Sequence, residues 1–204
     1  MKKLGFILLM IGAAVIIWGG HSWWSQVNAI THDPVKIQEE HQGWKKTEAQ
    51  KTVKTLERVK KEHNFETGEK VGSLAVPRIG NQYDVFWGTG EDTLKKGVGL
   101  HESKWTTAPD QQGHVVLSGH RETVFRNLDK VKKGDHLYVD FEGVTYDYQV
   151  RKIWITHEDD RSVIVKKDKP TLTLTTCYPF DYVGSAPKRY IIQAQLVSKE
   201  SQNE

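Results

Sequence analysis

The sequence predicts a mainly β protein, a barrel or sandwich of about eight short strands, preceded by a transmembrane helix and a polar helical linker. Three observations carry that expectation. From residue 71 onward, short segments rich in β-branched and aromatic residues alternate with turn residues such as Lys133-Gly134-Asp135 and Glu142-Gly143, the pattern of many short strands packed around one core. Residues 4–20 carry no charge, near the short end of what spans a bilayer as a helix. Between these two parts, residues 26–70 are polar and rich in Glu, Gln and Lys.

Taken in order, Met1-Lys2-Lys3 precedes the apolar run. A cleaved signal peptide has a shorter apolar core and a small-x-small cleavage site. Here the run continues past Ala13-Ala14-Val15 through Ile16-Ile17-Trp18, and His21-Ser22-Trp23-Trp24-Ser25 resembles an interfacial aromatic belt. The expectation for residues 1–25 is an uncleaved, single-pass signal anchor in the cell membrane, with the N-terminus cytoplasmic and the rest extracellular. Residues 26–70 read as an extracytoplasmic linker. Pro34 suits a helix start, no proline follows before His63, and Leu56 and Val59 are three apart. That predicts a charged helix over 34–63, either a spacer or a lid packed weakly on the domain. Within the β domain, 71–199, strands are expected at 73–79, 83–87, 115–118, 136–141, 145–155, 171–177 and 189–197. Pro77 points to an edge or bulge, and Glu142-Gly143 reads as a hairpin turn. Residues 200–204 are expected to be a disordered tail.

Composition excludes several functions. Lys and Arg total 29 against 26 Asp and Glu, a net charge of +3, too mild for a nucleic-acid binder. Gly88-Thr89-Gly90 is a turn rather than a phosphate loop. One cysteine and scattered histidines lack zinc-ligand spacing. Glu158-Asp159-Asp160 has the acidity for Ca²⁺ but reads as a solvated loop. No metal or other cofactor is predicted.

The single cysteine, Cys177, ends a strand-like run, Thr173-Leu174-Thr175-Thr176-Cys177. In an exported chain an unpaired cysteine is a reactive thiol, an intermolecular partner or an inert buried group. A nucleophilic thiol needs a proton shuttle and an oxyanion donor. Of nine histidines, His120 has the telling context. It follows Val115-Val116-Leu117-Ser118-Gly119, where a buried strand emerges into a loop, and histidine titrates near neutrality. Arg189 lies twelve residues beyond Cys177, past a turn-like stretch, and opens the last apolar run. Two strands joined in this way can lie side by side, and a guanidinium stays charged throughout. Lys188 would face the other way.

These residues carry a resemblance. Leu174-Thr175-Thr176-Cys177 resembles the TLxTC signature of sortases. The stretches 117–126 (LSGHRETVFR) and Gly184-Ser185-Ala186-Pro187-Lys188-Arg189-Tyr190 resemble the class D branch found in Gram-positive bacteria. The resemblance covers residues 74–196 and implies a closed eight-stranded β-barrel with short helices. It implies a membrane-anchored cysteine transpeptidase that cleaves an LPxT-type C-terminal sorting signal through a thioacyl-enzyme, a hydrolase-like thiol-protease step. The surface protein is then transferred to a peptidoglycan precursor amine, anchoring it to the cell wall. It implies Cys177 as nucleophile, His120 as proton donor and acceptor, and Arg189 on the oxyanion. Thr176 is a motif residue that supports substrate or merely packs. Two other readings fit the same residues: a membrane-anchored cysteine peptidase with water as acceptor, and a membrane-tethered binding module in which Cys177 is structural.

Overall fold

Along Asn81–Trp87 every second side chain is buried, the period-2 burial that a half-buried strand requires. The same logic organises most of the chain. The computed structural model describes residues 5, 7, 9–17, 19–20, 30–53, 61–181, 184 and 186–202. Its strands are β1 (Ile30–His32), β2 (Lys70–Val76), β3 (Asn81–Trp87), β4 (Val98–Leu100), β5 (His114–Ser118), β6 (His136–Phe141), β7 (Val144–His157), β8 (Thr171–Tyr178) and β9 (Lys188–Ser201). From residue 30 on there are also two short helices, α1 (Pro34–Glu40) and α2 (Glu91–Leu94), and two 3₁₀ turns; the described residues between 5 and 20 are helical.

Strands β2 to β9 close on themselves in the order β2-β6-β7-β9-β8-β5-β4-β3, with β3 returning to β2. This is the expected eight-stranded barrel. Pairs β3–β4 and β5–β8 are parallel and the others antiparallel. β1 adds a ninth strand against the first half of β3, with Ile30 opposite Tyr83. The long β7 slips register twice against β9, at Asp147/Tyr148 and at Val150/Lys152, and such bulges bend a strand around a barrel. The interior is filled by side chains including Leu74, Leu100, Leu117, Phe125, Leu172 and Ile192. Burying each such side chain contributes on the order of 1.5–3 kcal/mol.

Several expectations are corrected. Among the described residues no helix is long and apolar enough to cross a membrane. The transmembrane helix, and the single-pass localisation that rested on it, therefore do not stand. The proposed aromatic belt at 21–25 lies outside the described residues.

The helix expected over 34–63 ends at Glu40. Asp33 caps it by accepting from the Lys36 N–H at 3.0 Å, with Pro34 in the first turn. It stops because Gly43 lies in a turn that swings Trp44 inward. Trp44 and Ile37 are buried with Ala75 of β2 and Tyr138 of β6, themselves cross-strand partners. Residues 46–53 then run as an irregular strap. The Gln149 amide donates to the carbonyls of Lys46 and Glu48, and the Val53 N–H donates to the Leu196 carbonyl. This stretch is a packed arm, not a free spacer; Leu56 and Val59 lie outside the described residues.

The strand expected to reach Ile79 ends at Val76, and Pro77 sits in the following turn. Gly80 closes that turn with φ +65°, and a Cβ there would meet Pro34 at 2.5 Å. Only glycine lets the arm cross at this point. At the other end β9 continues through Ser201, and the Gln202 N–H donates to the Gly143 carbonyl. The ordered chain thus extends beyond residue 199.

Candidate active site

The parallel pair β5–β8 builds one end of the site. Its register runs from His114 opposite Thr171 to Ser118 opposite Thr175. Beyond it the two chains stay joined: the Gly119 N–H donates to the Thr175 carbonyl at 3.3 Å, and the Thr176 hydroxyl to the Gly119 carbonyl at 2.7 Å. Gly119 allows this because a Cβ there would stand 2.9 Å from the Phe125 ring. One residue further along each chain come His120 and Cys177.

Strand alternation sets which way they face. Leu172 and Leu174 point into the barrel core, so Thr176 shares their side and Cys177 the opposite one. Thr176 is accordingly buried with its hydroxyl on Gly119, while Cys177 is a half-buried free thiol. Across the antiparallel β8–β9 pair, Cys177 lies opposite Arg189, and directly opposed residues share a face. The fold therefore sets Cys177 and Arg189 on one face of the sheet, and His120 two residues past the end of β5, the strand beside β8. It sets Thr176 on the other face.

The Arg189 guanidinium is partly engaged. Nη1 donates to the carbonyls of Ala186 (2.7 Å) and Lys188 (3.0 Å), and Nη2 pairs with Glu158 Oε2 at 3.0 Å. A guanidinium has five N–H donors. Among the described residues, Nε–H and one Nη2–H of Arg189 meet no acceptor.

At the far end of the same parallel pair, His114 braces the strands. Its Nδ1 lies 2.7 Å from the Val165 carbonyl, and its Nε2 lies 2.8 Å from the Thr173 hydroxyl. Burial pushes its pKa down to about 4, so the neutral ring is the folded form.

Two hollows are lined by sequence neighbours or contacts of His120, Cys177 and Arg189. One, about 770 Å³, lies between residues 121–129 and the aromatic group Tyr178, Phe180 and Tyr190. The Phe180 and Tyr190 rings meet edge-on with centroids 5.2 Å apart. The other, about 450 Å³, is bordered by His101, exposed Trp105 and Glu158-Asp159-Asp160. Asp160 is held by its own loop. It accepts from the Ser162 hydroxyl and N–H and from the Thr156 hydroxyl, and these bonds pull its pKa down to about 2.

The carboxylates nearest to a metal-like arrangement, Asp110 and Glu142 with His63, already have a cation. The Lys61 ammonium bridges both acids, 3.3 Å from Asp110.

Sequence reasoning missed Arg121, Glu158 and the aromatic group. Arg121 stood inside a quoted motif, but nothing in its spacing marked it as buried. Glu158 was read only as part of a solvated acidic loop.

A family model described as "Sortase domain" matches residues 74–197. "Sortase D" of Bacillus subtilis is 38% identical over 202 residues, covering 97% of this chain and 100% of that one. "Sortase A" of Listeria monocytogenes is 31% identical over 142 residues, covering 67% of this chain and 61% of that one. Among solved structures, the catalytic domain of B. anthracis SrtD is 50% identical with a TM-score of 0.60, covering 70% of this chain and 97% of its own. A Clostridium perfringens Sortase D5 transpeptidase is 26% identical with a TM-score of 0.59, covering 66% and 83%.

Proposed function

The chain belongs to the sortase family, closely related to its class D members, and from that premise we propose how this transpeptidase-type enzyme works on cell-wall proteins. The Cys177 thiolate attacks the threonine carbonyl of an LPxT-type sorting signal. The oxyanion of the tetrahedral adduct is met by the Arg189 guanidinium. His120 gives a proton to the departing amine as the C–N bond breaks, leaving a thioacyl-enzyme. An incoming amine, supplied by a peptidoglycan precursor, attacks that thioester. His120 takes its proton, Cys177 leaves as thiolate, and a new amide bond joins the surface protein to the acceptor.

One observation supports this reading: Cys177 is cross-strand from Arg189, and the parallel β5–β8 pair ends just before His120 on the neighbouring chain. Thr176 takes a supporting part through the carbonyl of Gly119, the residue that leads into His120.

The test incubates the full chain with a panel of LPxTA- and LPxTG-type peptides, with and without an added amine, beside Cys177→Ala. Mass spectrometry is expected to detect a thioacyl adduct on Cys177 and ligation to the amine, both absent from the variant. Hydrolysed product alone, even at high amine concentration, would make the protein a cysteine peptidase instead.

A further inference from the structure

Arg121 follows His120 directly, yet its side chain turns inward and is 2% exposed. Burying a guanidinium costs several kcal/mol unless its donors are met. Here they are met largely by one segment. Nη1 donates to the Pro179 carbonyl at 2.8 Å, Nη2 to the Gly184 carbonyl at 2.9 Å, and Nε to the Glu122 carboxylate at 2.7 Å. Pro179 is two residues beyond Cys177, and Gly184 lies midway along the connection to Arg189.

Backbone pairing does not reach this region. The β5–β8 ladder ends at Ser118–Thr175, and the β8–β9 ladder at Tyr178–Lys188. Of the connection between β8 and β9, the far end is tied down by the Glu158 N–H on the Pro187 carbonyl and by Arg189 on Ala186. Among the described residues, the near half is held by the Phe180 ring against Tyr178 and Tyr190 and by the two Arg121 bonds, which are its polar ties to the loop after His120. The Arg121 fork therefore spans the two walls of the 770 Å³ cleft, the loop after His120 on one side and the exit from Cys177 on the other.

We propose that Arg121 is a positioning residue for the transfer reaction: it fixes the exit of Cys177 and the approach to Arg189 relative to His120, and so sets the width of the cleft, without itself meeting substrate. The inference rests on the roles proposed above for His120, Cys177 and Arg189. Planarity is what matters here. A guanidinium reaches two carbonyls from separate nitrogens, whereas a lysine ammonium has one nitrogen and a flexible stem.

The experiment compares Arg121→Lys and Arg121→Met with wild type, using the full chain well below each variant's Tm and counting active enzyme by Cys177 alkylation. Misplacing reacting groups by about 1 Å costs ~10²-fold. Arg121→Met is expected to lose about that much in kcat/KM, chiefly in kcat, with Arg121→Lys restoring only a minor part. Hydrogen exchange is expected to quicken in residues 178–187 while the β5 and β8 ladder amides keep their protection. A merely structural arginine would lower Tm and leave kcat and KM per active thiol unchanged. That result, or unchanged exchange in 178–187, overturns the proposal. Should Arg121→Met not fold, Arg121→Lys decides by the same two readings. A wild-type protein that transfers no peptide would overturn the function proposed above and leave the exchange comparison to decide on Arg121.

Discussion

Replacing Thr176 with valine exchanges one hydroxyl for a methyl of nearly the same size. The side chain is 3% exposed and its Oγ1 donates to the Gly119 carbonyl at 2.7 Å. No cavity forms, so the cost is that of a buried carbonyl deprived of its donor, about 1–3 kcal/mol. For a chain of this size each kcal/mol lowers Tm by about 2–4 °C, giving a fall of roughly 6 °C for a mid-range loss. Thr176→Ser is the control. It keeps the hydroxyl and gives up a methyl worth about 0.8 kcal/mol. Calorimetry should therefore rank the proteins wild type, serine, valine, and turnover should follow the same order because Gly119 carries the chain into His120. A valine variant as stable and as active as wild type would refute the reasoning. So would a serine variant less stable than the valine one, since packing and not the hydrogen bond would then hold the strand end.

Arg189→Lys keeps the charge but loses the planar fork. Steady-state kinetics should reveal a drop approaching the ~10²–10³ of a lost oxyanion donor, and near-native turnover would remove Arg189 from that role. His114 predicts a pH dependence. Burial holds its pKa at about 4 in the folded protein against an ordinary histidine value of 6.5, so the unfolded chain takes up the proton first as pH falls. Its contribution is intact above pH ~6.5 and is lost progressively toward pH ~4, roughly 3 kcal/mol in all. Urea midpoints measured from pH 7.5 to 4 should fall less steeply for His114→Asn, and parallel curves would count against the buried neutral ring. Trp44→Ala should cost about 3–5 kcal/mol and release the arm, so limited proteolysis should cut within residues 30–53 in the variant before it cuts wild type.

The longer strands were legible because their alternation and their turn residues agree, as with β6, Glu142-Gly143 and β7. β1 and β4 were not. Each is three residues long, and each exists because β3 offers it an unpaired edge, a property of the partner and not of the segment. The arm was misread for a related reason. Two buried residues in a polar stretch, Ile37 and Trp44, make no periodic signal, while the helix-forming composition around them is strong. The apolar run at 4–20 reads as a membrane span on length and charge alone, whereas among the described residues no helix is long and apolar enough to cross a membrane.

Within the site, Cys177 and His120 stood out because each ends an apolar strand. That their strands lie side by side depends on β5 and β8 being parallel neighbours, which residue spacing does not encode. Where the Arg189 guanidinium goes was equally hidden, since Glu158 approaches it from a loop some thirty residues upstream. Arg121 illustrates the limit most plainly, because composition rules place arginine outside and only the unpaired carbonyls of a distant loop draw it in.

The parallel pairing of β5 with β8 also bears on how the protein is made. His114 and Thr171 are 57 positions apart, and parallel partners so distant meet only after the intervening β6–β7 hairpin has been accommodated. Contacts of that separation form slowly, because the closure entropy precedes any reward. The strands that lead into His120 and Cys177 therefore come side by side only when the barrel closes, and a nascent or half-folded chain holds those two residues apart. Recovered turnover during refolding would then trail recovered β-structure, making the reaction itself a strict reporter of the last step in assembly.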